Sequence, residues 1–363
     1  MRNRVLRLNQ GSQSYDTRTA PETQCPFHQL VNPSYPFLMP LHHVVPQMLL
    51  RRFAMNGKIL QVVSREDPWK KHRGSVSKVG AESGCYRIPA KDVDPSSRED
   101  HDPEGVEAGL SVIESKVSPI LTVISRGGIP TRGEDRFWLS LFVATQITRG
   151  WAYRESVEAL GNTLAKQHFD SRDEMLRRRT KSFLESRGEP SKPKDVDRFI
   201  ELTKSSGWKI VPNKSHLIQQ SLKKAWFPLG PALHSRSLRI FRFDEPLLLT
   251  SDAAVGFWAP DSEKPRSVGV GNARGIFMSI DRFTAVGFML DRKDRDVTGN
   301  PFWAKHINLS IADRATKWIY HHPDDNPLLE LSLPAPAKLV TVYDTETALA
   351  DGRIKRSGRH IWR

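Results

Sequence analysis

Cysteine is almost absent: Cys25 and Cys85 are the only two in 363 residues, and they stand far apart with no CxxC pair. That excludes a disulfide framework and a thiolate zinc site, and two free thiols fit a reducing compartment. The N-terminal MRNRVLRLNQGSQSYD is basic and then polar, without the apolar core of a signal peptide, and no later run reads as a membrane span. The expectation is a soluble cytoplasmic protein that does not contact a membrane. P-loop, zinc-finger, RRM and KH signatures are missing, and Gly269, Gly271 and Gly275 are too loosely spaced for a dinucleotide fingerprint. No internal repeat is present, and neither is the closely spaced Asp-x-x-x-Asp or Glu-x-Lys of many nucleases. Acid is also in short supply. Asp plus Glu number 41 against 55 Lys plus Arg, a net charge of +14 and a pI near 9.8. A field of that sign attracts polyanions, and nucleic acid is the expected partner.

The chain is long enough to bury a sizeable core without staples. Residues 1–40 are polar and turn-rich and read as a flexible basic arm carrying Arg2, Arg4 and Arg7. From Leu41, Pro46 suits a first helical turn, Met48, Leu49, Leu50 and Phe53 supply an apolar face, and Asn56-Gly57 turns the chain into a strand over Lys58 to Val63. Ser64 to Pro103 reads as an exposed loop with one short strand near Cys85 to Ile88. Val106, Leu110, Ile113, Val117, Leu121 and Ile124 recur at three and four, which predicts an amphipathic helix kinked at Pro119 and ended at Gly127-Gly128. Thr131 to Glu134 has capping-box spacing, and FWLSLFVATQITR after it is apolar almost all round, as in a helix at the centre of a fold. Trp151 to Trp226 is charged and helical in pattern, broken at Ser186 to Asp195.

Composition turns from helix to strand after Pro231. Strands are expected at Leu238 to Phe243, Leu247 to Leu249, Ile276 to Ile280 and Ala285 to Leu290 as an antiparallel meander, then a helix from Pro301 to His322 and a strand at Lys338 to Tyr343. The fold class is α+β, a mostly helical body packed on a small antiparallel sheet. Residues 41–345 form a single integrated domain, with a helical part at 41–227 and a sheet-rich part at 238–343, and residues 346–363 a mobile basic tail.

Candidate site residues follow from chemistry and placement. Asp252 stands at the end of PLLLTSD, where a strand fixes a carboxylate and the following loop leaves it wet. His42 and His43 precede the first helix in an extended stretch, so at most one faces a site; Gln47 and Arg51 share a helical face four residues apart. Glu107 and Glu114, seven apart, flank an apolar stripe where two carboxylates can hold an ion or divide into acid and base. Gln146 and Arg149 emerge at the end of the central helix, and an Arg so placed commonly grips a carboxylate or phosphate. Arg177, Arg178 and Arg179 beside Lys181 make the densest local polyanion patch. Each has a plainer use as well: a turn acceptor at Asp252, a solvated helix face at the glutamates and the arginine run.

HHVVPQMLLRRFA with its Asn-Gly turn, the helix around Glu114, ATQITRG, the strand ending TSDAAV, and HINLSIADRATKWIY together resemble a bacterial family catalogued as domain of unknown function 4238. The resemblance runs from about His42 to Tyr320. It implies a shared polar set: His43, Pro46, Gln47, Arg51, Glu114, Gln146, Arg149, Thr250, Ser251, Asp252 and Asn308. Where that pattern continues as Ser-Asp-Asn-Pro, this chain has Ser251, Asp252, Ala253 and Ala254, which alters the turn behind Asp252.

The leading expectation is a divalent-metal-dependent phosphodiesterase or nuclease in a bacterial defence or toxin setting. Glu114 and Asp252 would hold Mg²⁺ or Mn²⁺, His43 would serve as base or ligand, and Arg149 and Arg51 would stabilise phosphate charge. Gln47, Gln146, Ser251 and Asn308 would assist binding. The rivals are a noncatalytic nucleic-acid-binding or assembly protein whose polar residues form a buried network, and an enzyme acting on a small phosphorylated molecule or nucleotide.

Overall fold

The computed structural model describes residues 41–90, 93, 101–130, 133–170, 174–205, 214–260, 268–291, 293–329, 331–336, 339–348 and 354–362. The expected arm at 1–40, with Cys25 and the arginines there, and the capping residue Thr131 lie outside them.

The fold is α+β. Strand β1 (Leu41–His43) leads into a short helix α1 (Gln47–Leu50) that continues as a 3-10 turn, Arg51–Phe53. Asn56 and Gly57 then adopt φ of 53° and 66°, the left-handed pair that a tight reversal needs and that Asn and Gly tolerate best. Strands β2 (Ile59–Ser64), β3 (Lys71–Ser75) and β4 (Ala81–Ser83) follow. The segment read as a loop with a strand at Cys85 to Ile88 therefore has its strands earlier. Cys85, Tyr86 and Ile88 are buried outside any strand, in a cluster with Val106 and Leu110.

Helix α2 (Gly105–Ser125) runs through Pro119 as one element and closes at Gly127, φ 95°, with the Gly128 amide donating to the Val123 carbonyl. By length and composition it could cross a membrane; here Ile113, Val117, Leu121 and Ile124 pack into the core cluster shared with Leu139, Phe142 and Val143. Those three belong to α3 (Gly133–Arg149), buried along much of its length as its all-round apolar pattern requires. Helices α4 (Trp151–Asp170), α5 (Glu174–Ser186), α6 (Pro193–Ser205), α7 (Lys214–Lys224) and α8 (Gly230–His234) complete the helical half.

The strands that follow are β5 (Ser237–Arg242), β6 (Thr250–Ser251), β7 (Gly256–Trp258), β8 (Gly275–Ser279), β9 (Thr284–Met289) and β10 (Arg295–Thr298). Helix α9 (Pro301–Arg314) and strand β11 (Trp318–His321) come next, then β12 (Leu339–Ala348) and β13 (Ile354–Trp362). One five-stranded sheet has the order β10-β5-β9-β8-β7, and one four-stranded sheet the order β3-β2-β11-β6. The single small antiparallel sheet is thus too simple. There are several sheets, and β10 lies parallel to β5. Strand β2 pairs with β11 through Val63 and Ile319, 256 residues apart in the chain, so that N- and C-terminal segments share a ladder.

Two expectations change for a common reason. The helix read to His322 stops at Arg314, and Trp318–His321 is a strand. The run Leu247 to Leu249 is extended but belongs to no ladder, because the Asn308 side chain supplies its backbone bonds: Oδ1 accepts from Leu249 N at 3.1 Å and Nδ2 donates to Leu247 O at 2.7 Å. In both places a side chain satisfies backbone groups that period counting assigns to a regular element. The tail beyond residue 346, read as mobile, contributes β13, paired with β12 from Leu339↔Trp362 to Ala348↔Ile354.

Helix α9 presses on β7 so closely that a Cβ on Gly256 would lie 2.6 Å from Ile311 N. Gly256→Ala should therefore lower the melting temperature markedly. Gly161→Ala, on α4 where nothing lies within 4 Å, should instead raise stability by about 0.5–1 kcal/mol. Thermal and urea unfolding of the two variants check this.

Candidate functional site

Arg149, the last residue of α3, is buried and makes three kinds of contact. Nη1 donates to Glu114 Oε1 at 3.0 Å, Nε to the Tyr86 hydroxyl at 3.2 Å, and Nη2 to the His43 carbonyl. One guanidinium therefore joins α3, α2, β1 and the segment after β4. Burial works against its charge, but Tyr86 and Glu114 outweigh that and hold the group above its ordinary range. Tyr86 in turn stacks on His42, with ring centroids 5.6 Å apart at 18°, and has Arg149 and Arg154 over its ring at 5.6 and 5.8 Å.

The two histidines do point apart, and both are buried. His42 Nδ1 accepts from Tyr86 N at 2.8 Å and Nε2 meets Glu104 Oε2 at 3.0 Å. His43 Nε2 faces the Val76 carbonyl at 3.2 Å, so that nitrogen carries the proton, and Nδ1 accepts from the Gln47 amide at 3.4 Å. Desolvation is the largest influence on His43 and lowers its pKa, favouring this neutral form. Arg51 Nη2 donates to Gln47 Oε1 at 2.8 Å, so a relay runs from exposed Arg51 through Gln47 to His43.

A second cluster surrounds Asp252. Its Oδ1 accepts from Thr316 N at 2.8 Å, and Oδ2 from Lys317 N at 2.7 Å and Trp318 N at 3.1 Å. These bonds hold the reversal from α9 into β11. Ser251 Oγ donates to the Ile311 carbonyl at 3.2 Å, and Asn308 holds Leu247 and Leu249 as described. The clusters meet where a Cβ on Gly150 would stand 3.9 Å from the Asp252 carbonyl oxygen. Near this junction Gln146 Oε1, Thr250 Oγ1 and the Tyr320 hydroxyl are buried without a protein partner, and Thr250 and Tyr320 sit opposite each other across the ladder.

Most residues of the shared polar set are thus brought into two adjoining networks: His43, Gln47, Arg51, Glu114 and Arg149 in one, Ser251, Asp252 and Asn308 in the other. Arg177, Arg178, Arg179 and Lys181 are elsewhere, on α5. Their expected polyanion surface is largely matched by acid: Arg177 pairs with Asp197 at 2.9 Å, Arg178 with Glu174 at 2.6 Å and Lys181 with Glu185 at 3.7 Å. Tyr86, Arg154 and Tyr320 were not expected. Tyr86 lay hidden in a Gly/Ser/Pro-rich stretch, where only its apolar neighbours Cys85 and Ile88 signalled burial.

A divalent ion shared by Glu114 and Asp252 does not fit these partners. Both Asp252 oxygens are taken by backbone N–H groups, and one Glu114 oxygen is taken by Arg149. Among the described residues no group of three or more His, Cys, Asp or Glu side chains is arranged to hold a metal. An open groove of 550 Å³ lined by Arg136, Arg236, Asp291 and Asp294 contains none of the expected site residues.

Two carboxyls are strongly shifted. Burial raises Asp252 to about 6 against the three N–H bonds, and it raises Glu107 to about 6, where Arg149 opposes the rise and Glu114 and Glu104 assist it.

A family model described as Protein of unknown function (DUF4238) matches residues 41–325. No curated protein and no solved structure matches the chain.

Three outcomes follow from this geometry. Asp252→Ala leaves three backbone donors without their acceptor and should cost about 2–4 kcal/mol in urea unfolding. Because Glu107 binds its proton more tightly folded than unfolded, its contribution to stability is full below about pH 4.5 and is lost as pH rises through about 6. The melting temperature of Glu107→Gln minus that of wild type should therefore increase across that window. Ala254 has φ 54°, which proline cannot adopt, so Ala254→Pro should destabilise the protein although the related pattern carries proline there.

Proposed function

The chain belongs to the DUF4238 family of proteins of unknown function, and from that premise we propose a nucleic-acid-binding protein whose shared polar residues form an internal structural network. The observation that carries this reading is the commitment of both key carboxylates: Glu114 to Arg149, and Asp252 to the amides of Thr316, Lys317 and Trp318. Carboxylates so engaged stabilise the fold, and freeing them for an ion would leave a buried guanidinium and three amides unpaired.

The charge surplus supports the partner. The sequence carries 14 more Lys and Arg than Asp and Glu. Some are internal and held by neutral groups, such as Arg52 on Ser118, Thr122 and Ser125, and Arg236 on the carbonyls of Val270, Ala273 and Phe288. By sequence, further cations stand before Leu41, at Arg2, Arg4, Arg7 and Arg18, and after Gly352, at Arg353, Lys355, Arg356, Arg359 and Arg363. A cationic chain of this kind binds phosphate backbones with little regard to sequence and releases them in salt.

A second reading, a phosphodiesterase or nuclease, draws on the carboxyls of Asp252 and Glu107, both near 6 and so within the range of general acids and bases. The two readings part in one experiment. Wild type, Glu114→Ala and Asp252→Ala are incubated with single- and double-stranded DNA and RNA, with and without Mg²⁺ or Mn²⁺, while melting temperatures are followed. The binding reading expects salt-sensitive retention without cleavage, no metal-dependent rise in melting temperature, and variants that melt early. Metal-dependent stabilisation and cleavage, both lost in well-folded variants, would establish the enzyme instead.

A further inference from the structure

Trp69 is 92% exposed, an unusual position for the largest apolar side chain. It stands at the tip of the β2–β3 hairpin, in a turn with a defined shape. Asp67 N donates to Ser64 Oγ at 3.2 Å, Trp69 N to Asp67 Oδ1 at 3.2 Å, and Lys70 N to the Asp67 carbonyl at 2.9 Å. An indole presented on a preorganised turn loses little entropy when a ligand covers it.

Cations follow it directly. Lys70, Lys71 and Arg73 are all exposed, as is His72, whose ring meets Trp318 edge-on at 5.7 Å. Lys71 and Arg73 are two apart on an extended strand and therefore share a face, about 6.7 Å from one another along the chain. Strand β3 is the outer member of its sheet, so among the described residues its outer backbone edge pairs with no strand, and Lys71 and Arg73 are open to solvent beside it. Acid at the tip amounts to Glu66 and Asp67, and Asp67 is engaged with Lys70 Nζ at 3.5 Å. What remains is an aromatic platform beside a short cationic rail.

We infer that the Trp69 hairpin is a contact for single-stranded nucleic acid, in which an unstacked base lies on the Trp69 ring and the adjoining phosphates lie along Lys71 and Arg73. Every base has a π face, so such stacking does not depend on sequence, whereas duplex bases are already stacked on one another. The inference rests on the nucleic-acid reading above and adds to it a place and a strandedness.

The test measures fluorescence anisotropy of labelled oligo-dT and oligo-rU against full-length wild type, Trp69→Ala, Trp69→Phe and the double variant Lys71→Gln/Arg73→Gln. These residues are exposed, so melting temperatures should match wild type. Trp69→Ala should weaken binding about 10-fold, Trp69→Phe should retain most of it, and the double variant should flatten the log K against log salt slope by about 0.7 per charge removed. Wild type that binds while Trp69→Ala binds equally well would overturn the hairpin contact and leave the nucleic-acid reading standing. Wild type that binds no oligonucleotide at any salt would overturn both. Loss of binding to anionic phospholipid vesicles in Trp69→Ala, with oligonucleotide binding unchanged, would reassign the hairpin to a membrane surface.

Discussion

The rest of the structure depends on where the buried charge of Arg149 goes. A guanidinium in a protein interior is costly unless its nitrogens find acceptors, and here Glu114, Tyr86 and the His43 carbonyl each accept from one of the three. Each acceptor comes from a different stretch of chain, so satisfying one side chain fixes β1 against α2 and α3 together. His43, held through its carbonyl, then orients its ring toward Val76 and Gln47, and Gln47 holds Arg51. A polar set spread over a hundred residues of sequence becomes one bonded unit.

Asp252 performs the same task for the C-terminal half. Its three amide bonds convert the end of α9 into the start of β11, and β11 brings β2 and β6 together. Burial still holds the carboxyl near 6, so desolvation outweighs the three bonds. The perturbed titration of Asp252 thus reports its burial, while its partners are the three amides that it holds.

Legibility in the sequence divides along the same line. Elements formed by local chemistry were plain: the apolar stripe of α2, the all-apolar α3, the Asn56-Gly57 reversal, the outward divergence of His42 and His43. The shared polar set was also legible as a set, through its resemblance pattern. Its use was not, because an Asp bonded to amides 64 residues away and an Asp holding a metal leave the same letter in the chain. At Leu247 to Leu249 and Thr316 to Trp318 the local period is overridden by long-range side-chain bonds from Asn308 and Asp252. The arginine run on α5 misled differently: its acid partners Glu174, Asp197 and Glu185 become neighbours only once α5 has formed and α6 has docked.

A double-mutant cycle on Arg149→Met and Glu114→Gln, read by urea unfolding, probes this central interaction most directly. If the pair is an internal tie, each single variant loses about 3 kcal/mol or more, and the double variant recovers part of that loss, a coupling above about 1 kcal/mol. Single variants as stable as wild type, with coupling near zero, would contradict it and return Glu114 and Arg149 to the role of free site residues.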